Sequence, residues 1–207
     1  MNKEVLMEAQ KRFLHDYPGG FNSPEMEEIG KKHKVSKFIA QAQEAFAKDN
    51  FEDDDFILSE MNKLVGRSSM VSMFEKPKFR DMVKMLKDED KARMAGGLFE
   101  LLHGNEQTGF EQLLYELQKQ KLGKWTMMSV FLFYFKPQSE VFVKPTTTKL
   151  VIEKLGLNIK YSPTPTWEFY EKYRVYITEM KALLDPSLSP NSAAFSGFLM
   201  MSLKEDY

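Results

Sequence analysis

Cysteine is absent from this chain, and histidine occurs only three times in 207 residues. Without cysteine there is no disulfide, no thiolate nucleophile and no thiolate metal site, and the composition suits a reducing cytoplasm. An excess of one charge sign is also lacking: 29 Lys and Arg stand against 30 Asp and Glu, leaving a net charge of -1. No global field draws the protein towards nucleic acid or an anionic membrane, so either role needs a local basic face. Long apolar runs are missing too. The longest, Trp125–Phe135, is about half of the roughly 20 residues that a membrane span requires, so it is expected to be a buried core element of a soluble protein. Residues 1–17 interleave apolar positions with Lys3, Glu4, Glu8, Lys11 and Arg12, which excludes a secretion signal there and implies a cytoplasmic location.

What the chain has is apolar material at helical spacing. Val35, Phe38, Ile39, Ala42 and Phe46 follow the three- and four-residue rhythm of an amphipathic helix, as do Phe110, Leu113, Leu114 and Leu117. The same rhythm runs through Val5, Leu6, Ala9 and Phe13, through Phe79, Met82, Val83 and Leu86, and through Met94, Leu98, Leu101 and Leu102. Ser23-Pro24 and Ser189-Pro190 each place a capping hydroxyl before a proline at the first helical position. Asp53, Asp54 and Asp55 suit an acidic first turn favoured by the helix dipole. Thr108 and Glu111 have capping-box spacing, which starts a helix over 109–121, while Gly104 suits a left-handed C-cap. Gly96-Gly97 lies inside a periodic helix, and close helix packing is the expected reason.

The segment Trp125–Phe135 would also suit a strand, but no alternating partner strand is evident, so it is read as helix. A short hairpin near 141–143 is the one β element left open. Beyond it come a short helix over 147–155 closed by Gly156, an extended stretch over 161–166 held by Pro163 and Pro165, a long helix from Trp167 to Leu184, and a last one from Pro190 to Ser202. The expected fold is an all-α bundle of about nine or ten helices. It forms one domain, with Gly104 to Gly109 as the place where it would divide into two lobes, 1–104 and 109–207.

No Walker loop, dinucleotide fingerprint, nucleophile elbow or zincin helix is present. Glu100 and His103 form a single Glu-x-x-His pair where a di-iron bundle needs two, so no metal and no cofactor is expected. Two basic segments are the candidates for binding. In the first, Lys144 precedes Pro145 at a helix start and is followed by Thr146, Thr147, Thr148 and Lys149. Free amides already make that end partly positive, so each added lysine costs about 0.3–1 kcal/mol unless an anion is near. A phosphate or carboxylate held by amides, hydroxyls and ammonium groups would supply it, or Glu140 would. In the second, Arg67, Lys76, Lys78 and Arg80 are interleaved with Phe74 and Phe79, the composition of a nucleic-acid surface. Core anchoring of both rings is the simpler expectation.

From Trp125-Thr126 through Lys136-Pro137, Val141-Phe142-Val143-Lys144-Pro145, Thr148-Lys149, Leu155-Gly156 and Tyr161 to Trp167 and Tyr170, the order of residues resembles a bacterial family of uncharacterised proteins. The resemblance implies an all-helical domain and nothing catalytic, and it carries over no functional residues. In helical content the chain is more loosely similar to the helical DNA-repair glycosylases, but it lacks their Leu-Pro-Gly-Val-Gly hairpin and a catalytic aspartate after it. The leading expectation is a cytoplasmic, non-catalytic binding module for a protein or an anionic ligand, engaged through Lys144, Thr148 and Lys149. A nucleic-acid-binding or DNA-processing protein using Arg67, Lys76, Lys78 and Arg80 is the alternative. A homo-oligomer joined through Phe195, Phe198, Leu199, Met200 and Met201 is a third reading.

Overall fold

Amphipathic stripes need a common partner, and here that partner is a helix with no polar face. In this computed structural model, which describes residues 1–204, the described residues form eleven α-helices and no strand. They are α1 (Lys3–Asp16), α2 (Pro24–His33), α3 (Val35–Ala45), α4 (Asp54–Arg67), α5 (Glu75–Met85), α6 (Asp88–His103), α7 (Glu106–Lys119), α8 (Trp125–Phe135), α9 (Pro145–Lys154), α10 (Trp167–Leu183) and α11 (Ser192–Leu203). Short 3-10 turns lie at Gly20–Asn22, Lys48–Glu52 and Pro186–Leu188.

The apolar run Trp125–Phe135 is α8, with the expected bounds. Apolar on every side, it can be stable only when surrounded, and α3, α4, α6 and α7 pack against it. Met127, Met128, Val130, Phe131, Leu132 and Phe133 are all fully buried, each contributing about 1.5–3 kcal/mol by leaving water. Around it α6 and α7 form the most intimate pair, because a Cβ on Gly109 would come within 2.0 Å of the Leu101 amide nitrogen. On the far side α11 packs on α9 and α1, with Phe198 edge-on to Phe13 at 5.4 Å. Phe195, Phe198 and Leu199 are buried within the chain itself. One continuous apolar cluster joins all these helices, and no described helix is long and apolar enough to cross a membrane.

Several helix starts are where the capping residues put them. Ser23 Oγ accepts from the Met26 amide, Asp53 caps α4 by accepting from Phe56, and Pro145 is the first residue of α9. Three expectations need correction. Gly104 is not left-handed (φ -119°, ψ -130°); the turn is closed by Glu100, whose carboxylate accepts the Asn105 amide at 2.9 Å. Asn105, not Thr108, caps α7, so Gly109 falls inside the helix. Asn191 caps α11 two residues beyond Ser189, accepting from Ala193 and Ala194.

The hairpin left open near 141–143 is not formed. That stretch belongs to no helix or strand and is buried, and side chains replace the partner strand that its backbone would otherwise need. The Val141 amide donates to Tyr170 Oη at 3.3 Å, and the Val143 amide donates to Ser129 Oγ at 3.0 Å.

Candidate functional site

The α4–α5 connection is built by alternating anchors and outward side chains. Ser68, at the end of α4, is fully buried; its Oγ lies 2.8 Å from Tyr134 Oη and accepts the Met70 amide. Val71 is buried, and so is Glu75 at the start of α5. The Glu75 carboxylate accepts from Thr126 Oγ1 at 3.1 Å and from Lys124 Nζ at 3.2 Å, both at the beginning of α8. Four residues on, Phe79 is fully buried with its ring 6.3 Å from that of Phe131. Between these fixed points Met73 is 74% exposed and Phe74 76% exposed.

Phe79 is thus the core anchor that its helical stripe implies, and Phe74 is not. Holding two large apolar side chains in water is unfavourable, yet the chain on either side of them is pinned. Phe74 and Lys78 are one helical turn apart and share a face of α5. Arg67 and Lys78 are exposed and Lys76 partly so; among the described residues none of the three is paired with an acid. Arg80 differs, since Asp81 holds it at 2.8 Å.

The structure adds cations that lie far away in sequence. His33 Nδ1 at the end of α2 lies 3.0 Å from Ser69 Oγ in this connection, so the end of α2, with Lys32 and Lys34 exposed on either side of His33, adjoins it. Lys31 is already held by Glu28 at 2.7 Å. Separated from Ser69 by 36 residues, this basic end of α2 left no local signal that would connect it with Arg67.

At the start of α9 the candidate residues do not converge. Thr147 and Thr148 are buried, and Lys144, Thr146 and Lys149 are exposed. Thr148 Oγ1 makes no hydrogen bond of ordinary geometry, although Tyr173, whose hydroxyl burial pushes up to about 12, lies close enough to feel it. Lys149 Nζ sits 5.0 Å from the centre of the Tyr161 ring, and the five-residue step from Lys144 turns it well round the helix axis. Glu140 does not neutralise Lys144. It is buried beside Arg174, whose Nη1 donates to Glu140 Oε1 and to Glu106 Oε2, each at 2.8 Å, while Tyr170 Oη donates to Glu140 Oε2 at 2.8 Å. Burial and the adjacent Glu140 charge together hold the Tyr170 hydroxyl far above its ordinary pKa.

The Glu100–His103 pair is likewise spent on the fold. His103 Nε2 donates to the Phe46 carbonyl at 2.8 Å, which fixes its tautomer, and Glu100 serves Asn105. No group of three or more potential metal ligands is assembled among the described residues. Among the open grooves on the described surface are one of about 520 Å³ between α3, the turn after α8 and the approach to α11, and one of about 600 Å³ between the Lys48–Glu52 turn and α6. No known family model, curated protein or solved structure matches this chain, so its site is read from its own geometry.

Proposed function

We propose that the protein binds single-stranded nucleic acid through the α4–α5 connection and the adjoining end of α2. The observation that carries this reading is the outward placement of Phe74 and Met73 on an anchored backbone, among Arg67, Lys76 and Lys78, which have no internal acid partner. A phenyl ring presented in this way offers a stacking face to any base, and the cations meet the phosphates on either side of it. Readout of that kind is tolerant of sequence, so the protein acts as a binder of unpaired strands rather than of one duplex site.

The near-zero net charge supports a localised contact rather than attraction over the whole surface. The start of α9 supports an anion site less well, because its two lysines diverge and two of its three threonines are buried. The test is fluorescence anisotropy with labelled oligothymidylate, comparing the wild type with Phe74→Ala. Binding that weakens strongly in the variant and with rising salt is the expected result. Capture by anionic vesicles with no oligonucleotide binding would overturn the reading in favour of a lipid surface.

A further inference from the structure

We infer that His33 contacts the bound strand as an imidazolium, a contact that rests on the single-strand reading and adds a proton-linked member to that surface. His33 is exposed at the last residue of α2, and its ring is fixed at one end, where Nδ1 lies 3.0 Å from Ser69 Oγ. Ser69 follows Arg67 by two residues, so the ring stands beside the cations of the α4–α5 connection. Nε2, at the other end of the ring, has no partner among the described residues.

A neutral imidazole has one donor and one acceptor nitrogen, whereas an imidazolium has two donors. The neutral ring reaches a phosphate from Nε2 only by accepting the Ser69 hydroxyl at Nδ1, and it then brings no charge. The imidazolium donates to Ser69 Oγ from Nδ1 and to a phosphate oxygen from Nε2, a charge-assisted bond.

The surroundings supply cations and no competing acid. Lys32 precedes His33 and Lys34 follows it, Lys37 is exposed near the start of α3, and Arg67 ends α4. The acids of these helices are placed elsewhere. Glu25 and Glu27 lie in the first turn of α2, Asp54 and Asp55 in that of α4, and Glu44 near the end of α3. Glu28 holds Lys31, Glu60 holds Lys63, and Glu75 in the connection is held by Lys124. None of them pairs with His33 among the described residues.

Like charges disfavour an imidazolium, and an anion set among them favours it. A strand bound over these cations therefore stabilises the protonated ring, and by linkage protonation tightens the strand. The sign is fixed: affinity rises as pH falls through the imidazole range, around pH 6.5, and levels off above it. The other two histidines lie outside the connection, His15 next to Asp16 on α1 and His103 on the Phe46 carbonyl.

The experiment is fluorescence anisotropy of the full chain with rhodamine-labelled oligothymidylate, as salt series at about pH 8 and about pH 5.5, on either side of the imidazole range. Neither thymine nor the phosphodiester titrates in that interval. Wild type should tighten by about three- to fivefold at the lower pH, and its salt slope should steepen by about 0.7, one phosphate more. His33→Gln, polar but not ionisable, should show neither change. His33→Lys, with a permanent charge, should bind at the higher pH about as tightly as wild type does at the lower. Equal Kd at the two pH values, with Phe74→Ala still weakening binding, overturns the contact and leaves the single-strand reading standing. A His33→Gln variant that keeps the wild-type pH dependence overturns it too, because the proton then belongs to another group. Absence of binding at either pH overturns the contact and the reading together.

Discussion

Replacing Phe74 by alanine separates the energetics of binding from those of folding, because the ring is 76% exposed and its neighbours carry the anchoring. Truncating such a side chain should shift folding stability by no more than about 0.5 kcal/mol. If the ring stacks on one base, its loss should cost about 1–3 kcal/mol of binding, roughly five- to 150-fold in Kd. The cations supply a second, independent number. Arg67, Lys76 and Lys78 are free of acid partners while Arg80 is held by Asp81, so on this reading the segment would neutralise three phosphates. At about 0.7 per phosphate on a single strand, the plot of log Kobs against log salt should fall with a slope near -2 from these residues alone. Lys32 and Lys34 would steepen it. Anisotropy titrations across a salt series measure both quantities on one sample. The reasoning is refuted if Phe74→Ala leaves Kd within about twofold, or if Lys78→Ala fails to flatten the slope by about 0.7.

Other consequences concern the fold that holds this surface in place. Arg174→Met should cost about 3–5 kcal/mol in urea denaturation, because it leaves the buried Glu140 carboxylate without its countercharge. Ser129→Ala should cost about 1–3 kcal/mol by leaving the buried Val143 amide without an acceptor. Gly109→Ala should destabilise by about 3 kcal/mol or more, since the new methyl meets the Leu101 backbone and not a movable side chain. Burial would raise the Glu106 carboxyl, but the hydrogen bond and charge of Arg174, with Lys136, outweigh it and hold it below the usual value. Its stabilising effect is therefore complete above the unfolded value of about 4.3 and disappears as pH falls through the lower folded value. Acid denaturation of Glu106→Gln, followed by circular dichroism, should lack this component.

How legible the fold was depended on whether the deciding interaction was local. The bounds of α8, the cap at Ser23, the acidic first turn with Asp54 and Asp55 and the proline at the start of α9 are settled by neighbours within four residues. Gly156, with φ of +57°, closes the turn after α9 as a glycine should. At the α6–α7 corner the capping-box spacing of Thr108 and Glu111 pointed to a start that the structure does not use. With α7 capped by Asn105, Gly109 lies inside the helix opposite Leu101, where the two backbones touch. The stretch 141–143 resembled a strand because it is apolar and rich in β-branched residues. Its backbone partners are Tyr170 and Ser129, 29 and 14 residues away, and nothing in the local pattern announces them.

Phe74 is the instructive case for the site, because helical periodicity alone places it outward. Phe79, Met82, Val83 and Leu86 make the inward stripe, and a step of five from Phe79 back to Phe74 rotates by about 140° away from it. The position one turn before Phe79 on that stripe is Glu75, a polar residue that looks unfit for a core. It is buried nonetheless, because Lys124 and Thr126 satisfy its carboxylate. A buried acid and an exposed phenylalanine at adjacent positions are therefore one arrangement. Periodicity assigns the inward position to Glu75, the start of α8 neutralises it, and the ring beside it is left to face outward.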